Sequence, residues 1–151
     1  MLLQPGEWYG KGSLLTEGAS LGEALVCNVI VVADEGGFTL TGQVTAEDRA
    51  ASQLSIRIAP NEVGTYTMDA RVGAAALDGI AKLESIPNLG LLWNEAQTLS
   101  STFTLFNVAN GFGFRGFVRE NQRTLTWEIA FHLKQDVIKG DNVVSLHRRR
   151  R

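Results

Sequence analysis

The chain has a single cysteine, Cys27, among its 151 residues. An internal disulfide and a multi-thiolate zinc site are therefore excluded. An excess of charge is also missing. Fourteen basic and sixteen acidic residues leave a net charge of −2, so no global field draws in nucleic acid or an anionic membrane. No apolar run approaches the ~20 residues that a membrane-spanning helix needs. The longest, Ala24 to Ala33, is interrupted by Asn28 and rich in Val and Ile, as a buried strand would be. The opening Met1-Leu2-Leu3-Gln4-Pro5-Gly6 lacks the basic start and apolar stretch of a secretory signal, so the expected compartment is the cytoplasm. Internal repeats and low-complexity linkers are absent, and one domain is expected over residues 1–147. Arg148 to Arg151 form a basic tail, read as solvated rather than as a nucleic-acid contact. Helical periodicity is weak; Ala46 to Gln53 and Gly73 to Asp78 each have room for a single turn. The glycine strings match no phosphate loop or dinucleotide fingerprint, because a helix must follow those and none does.

What the chain does have is alternation with a period of two. Phe38, Leu40, Gly42 and Val44 alternate with threonines and Gln43. Leu54, Ile56 and Ile58 repeat the pattern, as do Tyr66, Met68, Ala70 and Val72. The clearest case is Leu125, Trp127, Ile129, Phe131 and Leu133, set against Thr126, Glu128, Ala130, His132 and Lys134. One apolar and one polar face per strand is the signature of an antiparallel sheet. Turn clusters at Asp34 to Gly37, Pro60 to Gly64, Asn107 to Gly111, Glu120 to Gln122 and Lys139 to Asn142 punctuate the strands. The spacing predicts an all-β protein of eight to ten strands, and short hairpin turns favour an antiparallel up-and-down barrel.

Glycine fits that expectation, with sixteen residues in all and several on core-facing positions: Gly10, Gly12 and Gly42. Such residues permit the coiling of a closed sheet and leave volume that either neighbouring aromatics or a cavity must take up. The opening Gly6-Glu7-Trp8-Tyr9-Gly10-Lys11-Gly12 resembles the Gly-x-Trp signature of lipocalins and other calycin-like barrels, and the Gly-x-Trp-x-Gly-x-Gly start of nitrobindin-type haem-binding barrels. The resemblance implies that Trp8 closes one end of the barrel beneath a cation, here Arg148 or Arg149. It also implies a late-strand histidine if haem is bound. His147 is near that place but without the family's His-rich surroundings, so no cofactor is expected.

Candidate chemistry is sparse. A hairpin across Lys139 to Asn142 would set His132 and His147 on one face, but that face is the polar one and no carboxylate accompanies them, so no metal is expected. Cys27 lies in a strand apolar on both faces and is expected as a buried thiol. The outer face of that strand needs a cover: the segment Gly73 to Leu92, the N-terminus, or a second subunit in a homodimer. Asp69, Glu84 and Glu128 occupy outward or turn positions, and no base is tied to a nucleophile. Within Gly111 to Arg119, alternation sends Phe112, Phe114 and Val118 inward and leaves Phe117 as the one aromatic outside. The expected function is the binding of a small hydrophobic or amphipathic ligand inside the barrel. Phe38, Leu40, Tyr66, Met68, Phe103, Phe112, Phe114, Trp127 and Ile129 are its expected lining, with the Tyr66 hydroxyl as polar contact. The alternatives are a filled barrel acting as a dimerising interaction module and, further off, an isomerase- or lyase-type enzyme on the same scaffold.

Overall fold

A computed structural model describes residues 1–134. His147, Arg148, Arg149 and the Lys139–Asn142 turn lie outside the described residues, and with them the paired histidines and the expected cation over Trp8. The described chain is a closed barrel of ten antiparallel strands, each paired with its neighbours in sequence. The strands are β1 (Gly6–Thr16), β2 (Glu23–Asp34), β3 (Gly37–Ala46), β4 (Ser52–Pro60), β5 (Tyr66–Val72), β6 (Ala75–Lys82), β7 (Asn88–Trp93), β8 (Leu99–Val108), β9 (Gly111–Glu120) and β10 (Arg123–Leu133). Closure comes from β1 against β10, running from Trp8 opposite Leu133 to Thr16 opposite Leu125. Closing the sheet leaves no free edge to recruit another chain. Among the described residues no helix is long and apolar enough to cross a membrane.

The alternation read in the sequence is the alternation of the wall. Trp8, Leu25, Cys27, Val29, Val31, Ile58, Tyr66, Met68, Phe103, Phe112, Ile129 and Phe131 all join the interior cluster. Asp34 starts the β2–β3 turn by accepting from the Gly36 amide, and its two oxygens accept from the Arg57 guanidinium at 2.9 Å each. Asn121 and Gln122 take φ of 49° and 69° in the two-residue β9–β10 turn, the left-handed pair that matches strand twist.

Two expectations need correction. Neither Ala46–Gln53 nor Gly73–Asp78 holds a helical turn. The first is a turn between β3 and β4. The second is the β5–β6 turn, with Gly73 at φ 58°, followed by β6 itself. Small residues obscured that strand: Leu77, Gly79 and Ala81 face inward, and only one of the three is large. For the same reason Gly73 to Leu92 is no cover for β2; it supplies two strands of the wall, β6 and β7. On the outside of β2, Ile30 and Val32 are exposed.

The glycines mark where the sheet bends. A Cβ at Gly42 would stand 1.9 Å from the Asn28 carbonyl oxygen, so the β2–β3 approach there requires its absence. At Gly10 a Cβ would meet the Phe131 ring at 2.6 Å. There the missing side chain is replaced by an aromatic folded back against the wall.

Candidate functional site

The barrel has two unlike ends. One is formed by the starts of the odd-numbered strands, beginning at Gly6, and the ends of the even-numbered ones. Leu3 is buried ahead of β1 and Leu2 packs on the interior cluster, so the N-terminal segment lies across this end. Trp8 Nε1 donates to the Gln4 carbonyl at 2.8 Å and holds the segment down. Leu83 is also buried here, from the loop that follows β6. The buried Asn88, oriented with its NH2 toward that loop, donates to the carbonyls of Leu83 (2.9 Å) and Ser85 (3.2 Å). Tyr66 donates its hydroxyl to Glu84 in the same loop. That bond to a carboxylate, with burial behind it, pushes the Tyr66 phenol up to about 12. Trp8 thus belongs to the closed end, edge-on to Phe112 at 4.9 Å between ring centres, and Phe112 stacks on Phe131 at 5.0 Å.

The other end is different. Its turns contribute no buried apolar plug: Leu21 in the β1–β2 turn is 82% exposed. Several inward residues near it, among them Leu14, Val44, Leu54, Val72, Val118 and Leu125, are only half-buried, whereas Leu25 and Leu77 are buried. This end is the mouth. A polar group sits on its lip, where Arg49 donates to Glu23 Oε1 at 2.8 Å and Glu47 accepts from the Ala24 amide at 3.2 Å.

All nine residues expected to line the interior face inward. Tyr66, Met68, Phe103, Phe112 and Ile129 are buried, whereas Phe38, Leu40, Phe114 and Trp127 are partly buried and packed against them. They do not form one patch. Phe38, Tyr66 and Phe112 stand toward the closed end, Leu40, Met68, Phe103, Phe114 and Ile129 occupy the middle, and Trp127 stands toward the mouth. Phe114 bridges Phe103 and Trp127, with ring centres 5.5 and 5.3 Å apart. No large side chain of the described residues is fully buried; Val31 comes nearest, at 3% exposure. Leu40 and Ile56, midway along β3 and β4, remain partly accessible although they face inward. An eight-stranded barrel is just wide enough to be filled by side chains, and ten strands make a wider ring.

Elsewhere the described residues hold little chemistry. Cys27 is buried in the wall, and desolvation pushes its thiol up to about 12, far from a reactive thiolate. His132 faces outward, with Nδ1 3.2 Å from the Asn110 carbonyl oxygen. Glu128 pairs with Arg115 on the outer face. No group of three or more His, Cys, Asp or Glu side chains gathers as a metal site among the described residues. Two open grooves of about 370 and 260 Å³ lie on the outer wall, one along Asn28, Ile30, Thr41 and Gln53 and the other along Leu15, Glu17 and Thr126; neither includes any of the nine inner residues.

Sequence reading missed two participants, Glu84 and Glu23, and the polar role of a third, Trp127. Glu84 was read as a solvated turn carboxylate and is instead the partner of Tyr66; only the loop's return across the barrel end brings them together. Glu23 has the same parity as Leu25 and so belongs to the inner face, a signal that was legible but lay at a strand start. Trp127 was counted as lining, but the fate of its indole N–H could not be read from alternation. The chain matches no known family, characterised protein or solved structure, so any functional reading rests on this geometry alone.

Proposed function

We propose that the protein is a calycin-like carrier that binds one small hydrophobic or amphipathic molecule inside the barrel, entering by the mouth. The observation that supports this best is the incomplete burial of the inner wall. A core of this many Leu, Ile, Val and Phe residues normally packs to the density of an organic crystal. Here every large inward side chain retains some accessible surface. Apolar walls that water can reach gain free energy when an apolar molecule replaces it, roughly 25 cal/mol for each Å² covered. Sites for such molecules are concave and mostly apolar, with a few polar groups that fix orientation. Met68 and the aromatic rings supply polarisable surface without demanding a particular ligand shape. The buried thiol suits a reducing compartment, and we place the carrier in the cytoplasm.

Native mass spectrometry on protein purified from its own host tests the proposal directly. The expected result is an additional mass that leaves on denaturation. A clean apo spectrum, together with no uptake of any apolar probe, overturns it.

A second reading, the dimerising module, has its own observation beyond the exposed Ile30 and Val32 on the outside of β2. Ile80, Leu91 and Phe117 are exposed on the outer wall of β6, β7 and β9, with Trp93 and Leu89 beside them. In register, Asp78, Trp93, Ser100 and Arg119 form one row across β6 to β9. A twofold axis running between β7 and β8 would set Asp78 of one copy against Arg119 of the other, an isologous and charge-complementary contact. Sedimentation at micromolar concentration distinguishes the two: a stable monomer removes the dimer and leaves the carrier untouched.

A further inference from the structure

Two buried side-chain polar atoms among the described residues have no hydrogen-bond partner: Trp127 Nε1 and Glu23 Oε2. They come from distant parts of the sequence and from different strands, yet they fall on one row of the barrel. Leu14 in β1 is opposite Trp127 of β10 on one side and opposite Glu23 of β2 on the other. Directly opposed residues in an antiparallel sheet project to the same face, and Leu14 and Trp127 both pack on the interior cluster. All three side chains therefore point into the barrel near its mouth, across three strands spaced ~4.8 Å apart.

The two atoms are complementary. The indole N–H can only donate, and the carboxylate oxygen can only accept. Glu23 already spends its other oxygen on Arg49, which balances its charge and leaves Oε2 buried without a partner. Buried polar atoms left unpaired are costly, and each one in a native structure calls for an explanation. Resting on the carrier reading above, we propose that this pair is the polar anchor of the ligand site. It would take an apolar chain or ring bearing one uncharged head that both accepts and donates, such as an alcohol or a primary amide. The head accepts from Trp127 Nε1 and donates to Glu23 Oε2, while the apolar body extends along Phe114 and Phe103 toward the closed end. An ionised carboxylate head fits poorly, because it could satisfy the indole but offers Glu23 no proton. The anchor is separate from the Tyr66 hydroxyl, which is engaged by Glu84 at the other end of the barrel.

Displacement of the neutral apolar fluorophore N-phenyl-1-naphthylamine tests the anchor and the cavity separately. Uptake of the fluorophore reports the cavity, and the ranking of decan-1-ol against decanoate at pH 7 reports the head group. The anchor predicts that decanol displaces about tenfold more effectively than decanoate, the usual value of one to two well-made hydrogen bonds. Trp127→Phe should reduce the affinity for decanol about fivefold more than it reduces uptake of the fluorophore, with a retained far-ultraviolet strand signal showing that the variant is folded. Glu23→Gln should narrow the alcohol–carboxylate gap, since a Gln amide can donate to a carboxylate. Fluorophore uptake with equal displacement by both ligands, in wild type and variants alike, overturns the anchor and leaves the carrier standing. No uptake and no displacement overturns the carrier, and the anchor with it.

Discussion

Tyr66 shows how one side chain can hold a loop and carry a pH dependence together. Its hydroxyl ties the loop after β6 to the barrel end through Glu84. Tyr66→Phe should cost about 1 kcal/mol in urea unfolding, the net value of a hydrogen bond whose other partner can return to water. The raised phenol and the raised Cys27 thiol act in the same direction. A group whose folded pKa lies above its unfolded value keeps its proton in the folded state, so its stabilisation is whole below the unfolded pKa and lost as pH rises through the folded one. For Cys27 the window runs from about 9 to about 12, and for Tyr66 from about 10 to about 12. Urea midpoints should therefore fall above pH 9. Cys27→Ala should flatten the first part of that decline, and a decline of unchanged steepness would show that the buried thiol does not cause it. At the acid end the Arg57 guanidinium and the Gly36 amide hold the exposed Asp34 carboxylate below its ordinary range. Its contribution is present above the usual carboxylate pKa and is lost as pH falls through the lowered one.

Among the elements, β3 and β1 contrast in what their glycines do. Gly42 in β3 lets the backbone of β2 come close, and Gly10 in β1 makes room for Phe131, whose ring would lie 2.6 Å from an added Cβ. The two positions should respond differently to the same change. Gly42→Ala must push one strand off another, because the obstacle is a carbonyl oxygen; it should cost about 3 kcal/mol or more. Gly10→Ala, whose nearest obstacle is the Phe131 ring, should cost about 1 kcal/mol, since a ring can turn where a strand cannot. Chemical denaturation of the two variants checks the order, and equal losses would mean that the β2–β3 approach is not a tight constraint. Small inward residues also explain why β6 was illegible. Alternation is visible only where the inward residues are large, and β6 alternates through Leu77, Gly79 and Ala81.

On the scale of the molecule, ten strands and two unlike ends decide what the barrel can do. The closed end is covered by Leu3, by Trp8 over its bond to Gln4, and by the Leu83–Pro87 loop. Shortening the cover should open it. A chain lacking residues 1–4 should expose the Trp8 indole to water, and its tryptophan emission should move to longer wavelength while the far-ultraviolet strand signal persists. An unchanged spectrum would show that the segment covers nothing. The outer band on β6, β7 and β9 is a separate matter from the barrel interior. Phe117→Ser should leave a ligand-binding monomer unaffected and weaken any dimer held through that band.

The fold was largely legible in the sequence because a two-residue period needs only local information. Each strand with large alternating residues announces which face is buried, and Leu125 to Leu133 did so without ambiguity. Strand order followed from short turns, since a hairpin joins neighbours. What local pattern cannot carry is closure and its consequences. That Leu14 stands between Trp127 and Glu23 depends on β1 pairing with both β2 and β10, over a sequence separation of more than a hundred residues for the second. That Glu84 caps Tyr66, and that the N-terminal segment and the loop after β6 cover the same end, likewise depends on where the chain returns after the sheet has closed. Alternation determined which residues face inward; only the closed ring decided which of them meet, and which two polar atoms are left facing the same interior.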